Sequence, residues 1–237
     1  MTGPVATILK AFTAGATKEG LALFATQFED RTGIRIEAHT THGHLIEEQI
    51  IAGEVQDDIV LLPSAMIDNL ATRGLVSPEP RVTLGTIKIG AAVRDGIPLP
   101  AVSSMAAFEK TLLAARSIVI TQAPSGRHLD RVIAELGLAD EIADRITRYD
   151  MGYMVNDHLV ASTADDEIGF GVATEFSFYR DRGITYAGPL PEEIQMALEY
   201  QAAMVNGSDQ IAAIRQLFEF LTTTEARAGF AETGVEI

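Results

Sequence analysis

Short apolar runs alternate with amphipathic stretches along nearly the whole chain, and nothing else in the sequence limits the fold as strongly. Runs such as Asp58–Leu62 and Ser117–Thr121 have strand length and strand composition, and each is followed by a segment with helical spacing. Strands joined through helices must run parallel, with helices covering the sheet. The first series predicts strands at Ala6–Phe12, Ile34–Ala38 and Asp58–Leu62 and helices at Thr17–Asp30, Leu45–Ile51 and Ala65–Thr72. A second series predicts a helix at Met105–Ala115, a strand at Ser117–Thr121 and a helix opening at Ser125. It continues with a short helix near Ala139–Ile146, a helix near Met154–Ala161 and strands at Ile168–Ala173 and Ile184–Ala187.

Between the two series, Thr83–Arg94 alternates over an unusual length for one strand, long enough to leave one lobe and enter another. Ile194–Val205 reads as the returning crossover, followed by helices at Ile211–Leu221 and Thr224–Ala231. The expected fold is therefore α/β and two-lobed, with two crossing strands and a central ligand cleft. Residues 1–87 plus 191–237 form a discontinuous first lobe, and residues 88–190 form the second.

Hydrophobic residues make up 47% of the 237 residues and charged ones 22%, enough to bury a sizeable core. Eighteen Lys and Arg against 33 Asp and Glu leave a formal charge of −15, which repels nucleic acid and anionic membranes. No apolar run approaches the roughly 18 residues of a membrane span, so no membrane insertion is expected. The absence of cysteine excludes disulfides and thiolate chemistry. Met1–Ala6 lacks the charged and apolar regions of a signal peptide, which predicts a cytoplasmic protein as written and a periplasmic one if the start has been trimmed.

Open α/β sheets bind ligands outside the carboxyl ends of their strands, which selects five loops. They hold Gly15, Ala16 and Thr17 after the first strand; Thr41, His42, Gly43 and His44 after the second; Ser64 after the third; Ser125, Gly126 and Arg127; and Val172 with Glu175. The run Pro124-Ser125-Gly126-Arg127-His128-Leu129 favours an anion. Ser125 is expected to cap a helix whose apolar face is Leu129, Val132, Ile133 and Leu136, and Arg127 offers a guanidinium clamp. The alternative is a capped surface helix with a solvated arginine.

His39, His42 and His44 have spacing that zinc tolerates, but no acidic or cysteine partner completes a metal site, and strand alternation turns His39 away from the loop. His42 and His44 are left as loop residues making local hydrogen bonds or as ligand-facing groups that pair with an anion or carry a proton. Asp58 opens a buried strand and reads as structural. Glu175 reads as a first-turn acid favouring the helix dipole, with ligand contact as the other reading. No G-x-S-x-G, P-loop or dinucleotide fingerprint is present, and neither a cofactor nor a metal is expected.

Phe28-Glu29-Asp30-Arg31-Thr32-Gly33, then Gln49-Ile50-Ile51-Ala52-Gly53-Glu54-Val55-Gln56-Asp57-Asp58-Ile59, and later Asp166-Glu167-Ile168-Gly169-Phe170-Gly171, resemble periplasmic molybdate-binding proteins over nearly the whole chain. The resemblance implies a type II periplasmic-binding-protein fold, a small anionic ligand and, if the chain is exported, an ABC transporter permease as partner. It also exposes departures. Ala16, His42-Gly43-His44 and Val172 stand where that family has two serine loops and a tyrosine. Each unmade hydroxyl bond is worth about 1–3 kcal/mol, so a small organic carboxylate is expected to replace molybdate. Aconitate isomerase is similar to the same family, which implies an alternative: an isomerase moving an allylic proton on a di- or tricarboxylate, with His42 or His44 as acid/base.

Overall fold

A computed structural model describes residues 7–237. Ala6 and the Met1–Ala6 segment lie outside the described residues. The chain divides into two compact units, one of residues up to Thr86 together with Leu198–Ile237, the other Ile87–Ala197.

The first unit begins with β1 (Thr7–Ala14), α1 (Gly15–Thr32), β2 (Ile34–Thr41), α2 (Gly43–Ala52), β3 (Ile59–Pro63) and α3 (Ser64–Thr72). β1 pairs in parallel with β2, from Thr7↔Ile34 to Ala14↔Thr41, and with β3 on its other side. Ile59, Val60, Leu61 and Leu62 are all fully buried, as expected of a central strand covered on both faces. Asp58 holds the entry to β3: its Oδ2 accepts from the Lys10 amide at 2.8 Å and its Oδ1 from the Ser208 hydroxyl at 2.6 Å. It is a structural clamp.

From β4 (Val76–Arg94) the chain runs through α4 (Met105–Ala114), β5 (Ser117–Thr121), α5 (Pro124–Glu135), α6 (Ala139–Ile142), β6 (Ile146–Tyr149), α7 (Gly152–Ala161), β7 (Glu167–Val172), α8 (Ala173–Phe178) and β8 (Ile184–Pro189). β9 (Ala197–Val205) then pairs antiparallel with β3, and α9 (Ile211–Leu221) and α10 (Thr224–Glu232) complete the first unit. In that unit Phe24 of α1 meets Phe220 and Phe230 at ring distances of 5.6 and 5.3 Å. Gly20 faces the Phe230 ring so closely that a Cβ would overlap it.

The second unit has β5 between β6 and β7, parallel to both, while β7 and β8 pair antiparallel with β4. Its core holds Phe108 edge-on to Phe170 at 5.8 Å, with Leu112, Ile118, Leu129 and Ile133. Ile194 and Met196 pack against this core, so residues up to Ala197 stay with the second unit. A polar chain crosses beneath α7. The Tyr149 hydroxyl lies 2.8 Å from His158 Nδ1, His158 Nε2 lies 2.9 Å from Glu167 Oε1, and Ser117 donates to the same oxygen at 2.6 Å. Burial alone would raise the Glu167 carboxyl, but hydrogen bonds from Ser117, Ser162 and His158, with the His158 charge, outweigh it and hold the carboxyl below its ordinary value.

Three expectations need correction. The short helix stops at Ile142 and residues 146–149 form β6, an edge strand of only four residues whose exposed Thr147 and Arg148 hide its period. The long strand starts at Val76, ahead of Thr83, and the return at Ala197, because residues 192–194 form a 3-10 turn. Ser125 is not the cap of α5: Ala123 holds that position and Pro124 opens the helix, a placement its fixed φ favours. No helix of the described residues is long and apolar enough to cross a membrane.

Candidate functional site

Six helices leave the carboxyl ends of parallel strands: α1, α2 and α3 in the first unit, α5, α7 and α8 in the second. None has a side-chain cap on its first turn. The caps that do exist are Ser104 on α4 and Thr223 on α10, neither of which leaves such a strand. Ala14, His42, Pro63, Ala123, Met151 and Val172 therefore stand where Ser, Thr or Asp would normally cap the first amides; α5 opens with Pro124, which has no N–H, and the Glu175 carboxyl lies against Gly152 at the start of α7.

In the first unit Gly15 is exposed at the start of α1, and Ala16 is nearly buried. Thr17 is 1% exposed, its Oγ1 lying 2.7 Å from Thr13 Oγ1 and 3.2 Å from the Ala14 carbonyl oxygen. Its hydroxyl is taken up by Thr13 and the Ala14 carbonyl at the strand end. Thr41 ends β2, and the His42 and His44 rings stack across Gly43 with centroids 5.4 Å apart. Ser64 opens α3, partly exposed. His39 sits elsewhere, its Nδ1 2.9 Å from Asp57 Oδ1 in a pocket of about 380 Å³ lined also by Lys10, Phe12, Gln49 and Gln56.

In the second unit Thr121 Oγ1 accepts from the Ala123 amide at 2.6 Å, which turns the chain out of β5. Ser125 and Gly126 are buried in the first turn of α5, and Gly126 rests against the Thr121 carbonyl. Arg127 is exposed and donates from Nη1 to the Gln122 carbonyl at 2.7 Å, which holds the guanidinium beside its own loop. Val172 is 9% exposed at the end of β7. Glu175 follows in the first turn of α8, partly exposed, and burial raises its carboxyl to about 7.

The loop Asp150-Met151-Gly152 is a further candidate that sequence reasoning missed, because recognising it needs β6. Its signal was Gly152 ahead of a helical run. Among the described residues no three His, Asp or Glu side chains are grouped to hold a metal ion.

The topology and the uncapped loops define a binding protein of the type II periplasmic class. The chain belongs to the bacterial extracellular solute-binding protein family, whose sequence profile matches residues 9–236. An aconitate isomerase from Pseudomonas sp is 27% identical over 234 residues, covering 97% of this chain and 88% of the relative. The Azotobacter vinelandii periplasmic molybdate-binding protein superposes with a TM-score of 0.79 at 20% identity, covering 97% and 99% of the two chains. The substrate-binding domain of a molybdenum ABC transporter from Clostridium difficile gives 0.74 at 19% identity, covering 98% and 99%.

Proposed function

We propose that this chain is a solute-binding protein that takes a small organic carboxylate and, where exported, delivers it to an ABC transporter permease. The observation that carries this reading is the set of uncapped helix starts at strand carboxyl ends, with Arg127 beside one of them. Backbone amides and a guanidinium suit planar carboxylates. The positions matched by resemblance to the hydroxyl ligands of molybdate-binding proteins are Ala16, Gly43-His44 and Val172, and the Thr17 hydroxyl beside Ala16 is turned inward.

A thermal-shift screen of oxyanions and di- and tricarboxylates tests this. A bound carboxylate at about 100 times its Kd should stabilise the protein by about 2.7 kcal/mol, and molybdate and tungstate should bind about 100-fold more weakly or worse. A nanomolar molybdate titration overturns it.

A second reading is favoured by the aconitate isomerase relative: an isomerase using the same anion anchor, with His42 or His44 moving the proton. Such an enzyme exchanges solvent deuterium into an unsaturated tricarboxylate. NMR in heavy water is expected to show exchange that His42→Gln or His44→Gln abolishes while binding persists. Stabilising ligands that stay unexchanged for hours exclude this second reading.

A further inference from the structure

The richest unassigned cluster lies in the second unit, where α7 and α8 begin side by side. The Glu175 carboxyl is laid against the backbone of Gly152 in the first turn of α7, so closely that a Cβ on Gly152 would overlap its oxygens. A Cβ on Gly171, in β7, would lie 3.9 Å from Glu175 Oε2. Two more polar side chains lie near it, one bonded to the Glu175 backbone and one on the preceding residue. Asn156 is fully buried and donates from Nδ2 to the Glu175 backbone carbonyl at 3.1 Å, while its Oδ1 has no hydrogen-bond partner. Thr174 is 3% exposed and its Oγ1 also lacks a partner. Buried polar atoms are nearly always paired, and one left unpaired calls for an explanation. The glycine that makes room for the carboxyl and the two orphaned atoms near it leave hydrogen-bonding capacity here that the protein does not fill.

We propose that Glu175, whose backbone carbonyl Asn156 holds, is the ligand-selecting acid of this chain: uncharged, it donates a hydrogen bond to a bound carboxylate, and ionised, it repels one. The inference rests on the carboxylate reading above. Desolvation holds the carboxyl near 7, so both forms are populated around neutrality.

Several charged and titratable neighbours on the surrounding elements have other partners. On α7, Asp157 accepts from the Tyr179 hydroxyl at 2.7 Å, and His158 pairs with Tyr149 and with Glu167 of β7. Tyr153 projects into solvent, 48% exposed. After α8, Tyr179 is raised to about 12 by burial and by Asp157, with a smaller contribution from Glu175, and Arg182 lies 4.0 Å above the Phe178 ring. Arg180 and Asp181 complete that turn, and β8 brings Tyr186, stacked on Phe176. None of them supplies a counter-charge that fixes Glu175 in one state.

The test titrates citrate, trans-aconitate and succinate into wild type and Glu175→Gln at about pH 6 and about pH 8. With a group near 7, wild-type affinity should fall about tenfold over that interval, since only about a tenth remains protonated at the upper pH. Glu175→Gln, which donates at both pH values, should hold its affinity. A pH change common to both proteins belongs to the ligand and overturns the proposal while leaving the carboxylate reading intact. No binding of any of the three at either pH overturns both. As a check independent of the variant, carbon-13 NMR of glutamate-labelled wild type should show one carboxyl titrating near neutrality whose midpoint rises with bound ligand. A fixed or falling midpoint overturns the proposal.

Discussion

Gly126→Ala is expected to destabilise the protein by about 3 kcal/mol or more. Gly126 lies in the first turn of α5, where alanine would ordinarily gain about 1 kcal/mol of helix propensity. The added Cβ, however, falls inside the Thr121 carbonyl oxygen, with the Thr121 carbonyl carbon and amide close behind. Backbone cannot swing aside as a side chain can, so α5 would have to lift off the end of β5. Gly229→Ala is the control: it too is helical, in α10, but has nothing within 4 Å of the added atom and should gain stability. Urea unfolding of both variants checks the pair. Equal midpoints would mean that the α5 start is not packed as described.

Glu175→Gln is expected to stabilise the protein by about 2–3 kcal/mol at about pH 8 and to change little at about pH 5. The carboxyl ionises near 4.5 in the unfolded chain and near 7 in the fold. A folded value above the unfolded one means that the folded state prefers the protonated acid. The contribution is fully present below about 4.5 and is lost as pH rises through about 7, beyond which the fold carries a desolvated charge. Partial exposure of the side chain sets the effect below the full desolvation value. Denaturant unfolding at the two pH values measures it, and a gap that is the same at both would show that Glu175 does not titrate near neutrality.

Much of the fold was legible because burial leaves a periodic trace. Ser117–Thr121 forms β5 as read, and Asp58 acts as the structural residue its place at a buried strand suggested. β6 was not legible, since an edge strand of four residues with two exposed members leaves neither an apolar run nor a clear alternation. Its loss hid the loop at Gly152. Ser125 was misread for a different reason: serine before a helix and serine inside its first turn look alike until Pro124 is seen to open the helix. The candidate site was legible only as a set of loops. That Thr17 turns inward depends on Thr13, four residues earlier and in a different element, and that Glu175 is desolvated depends on a glycine more than twenty residues earlier. Neither dependence leaves a local mark.

The first unit is assembled from both ends of the chain, and this sets the order in which a ribosome can complete it. β3, with four consecutive fully buried apolar residues, needs β9 as its antiparallel neighbour, yet the whole of the second unit is translated in between. At about 5–20 residues per second, that strand waits roughly 10–30 s for its partner, a window in which an open apolar edge invites association with other chains or a chaperone. The second unit, one continuous stretch, has no such wait. The helix that finally seats on α1, placing Phe230 over Gly20, is α10, the last to be synthesised.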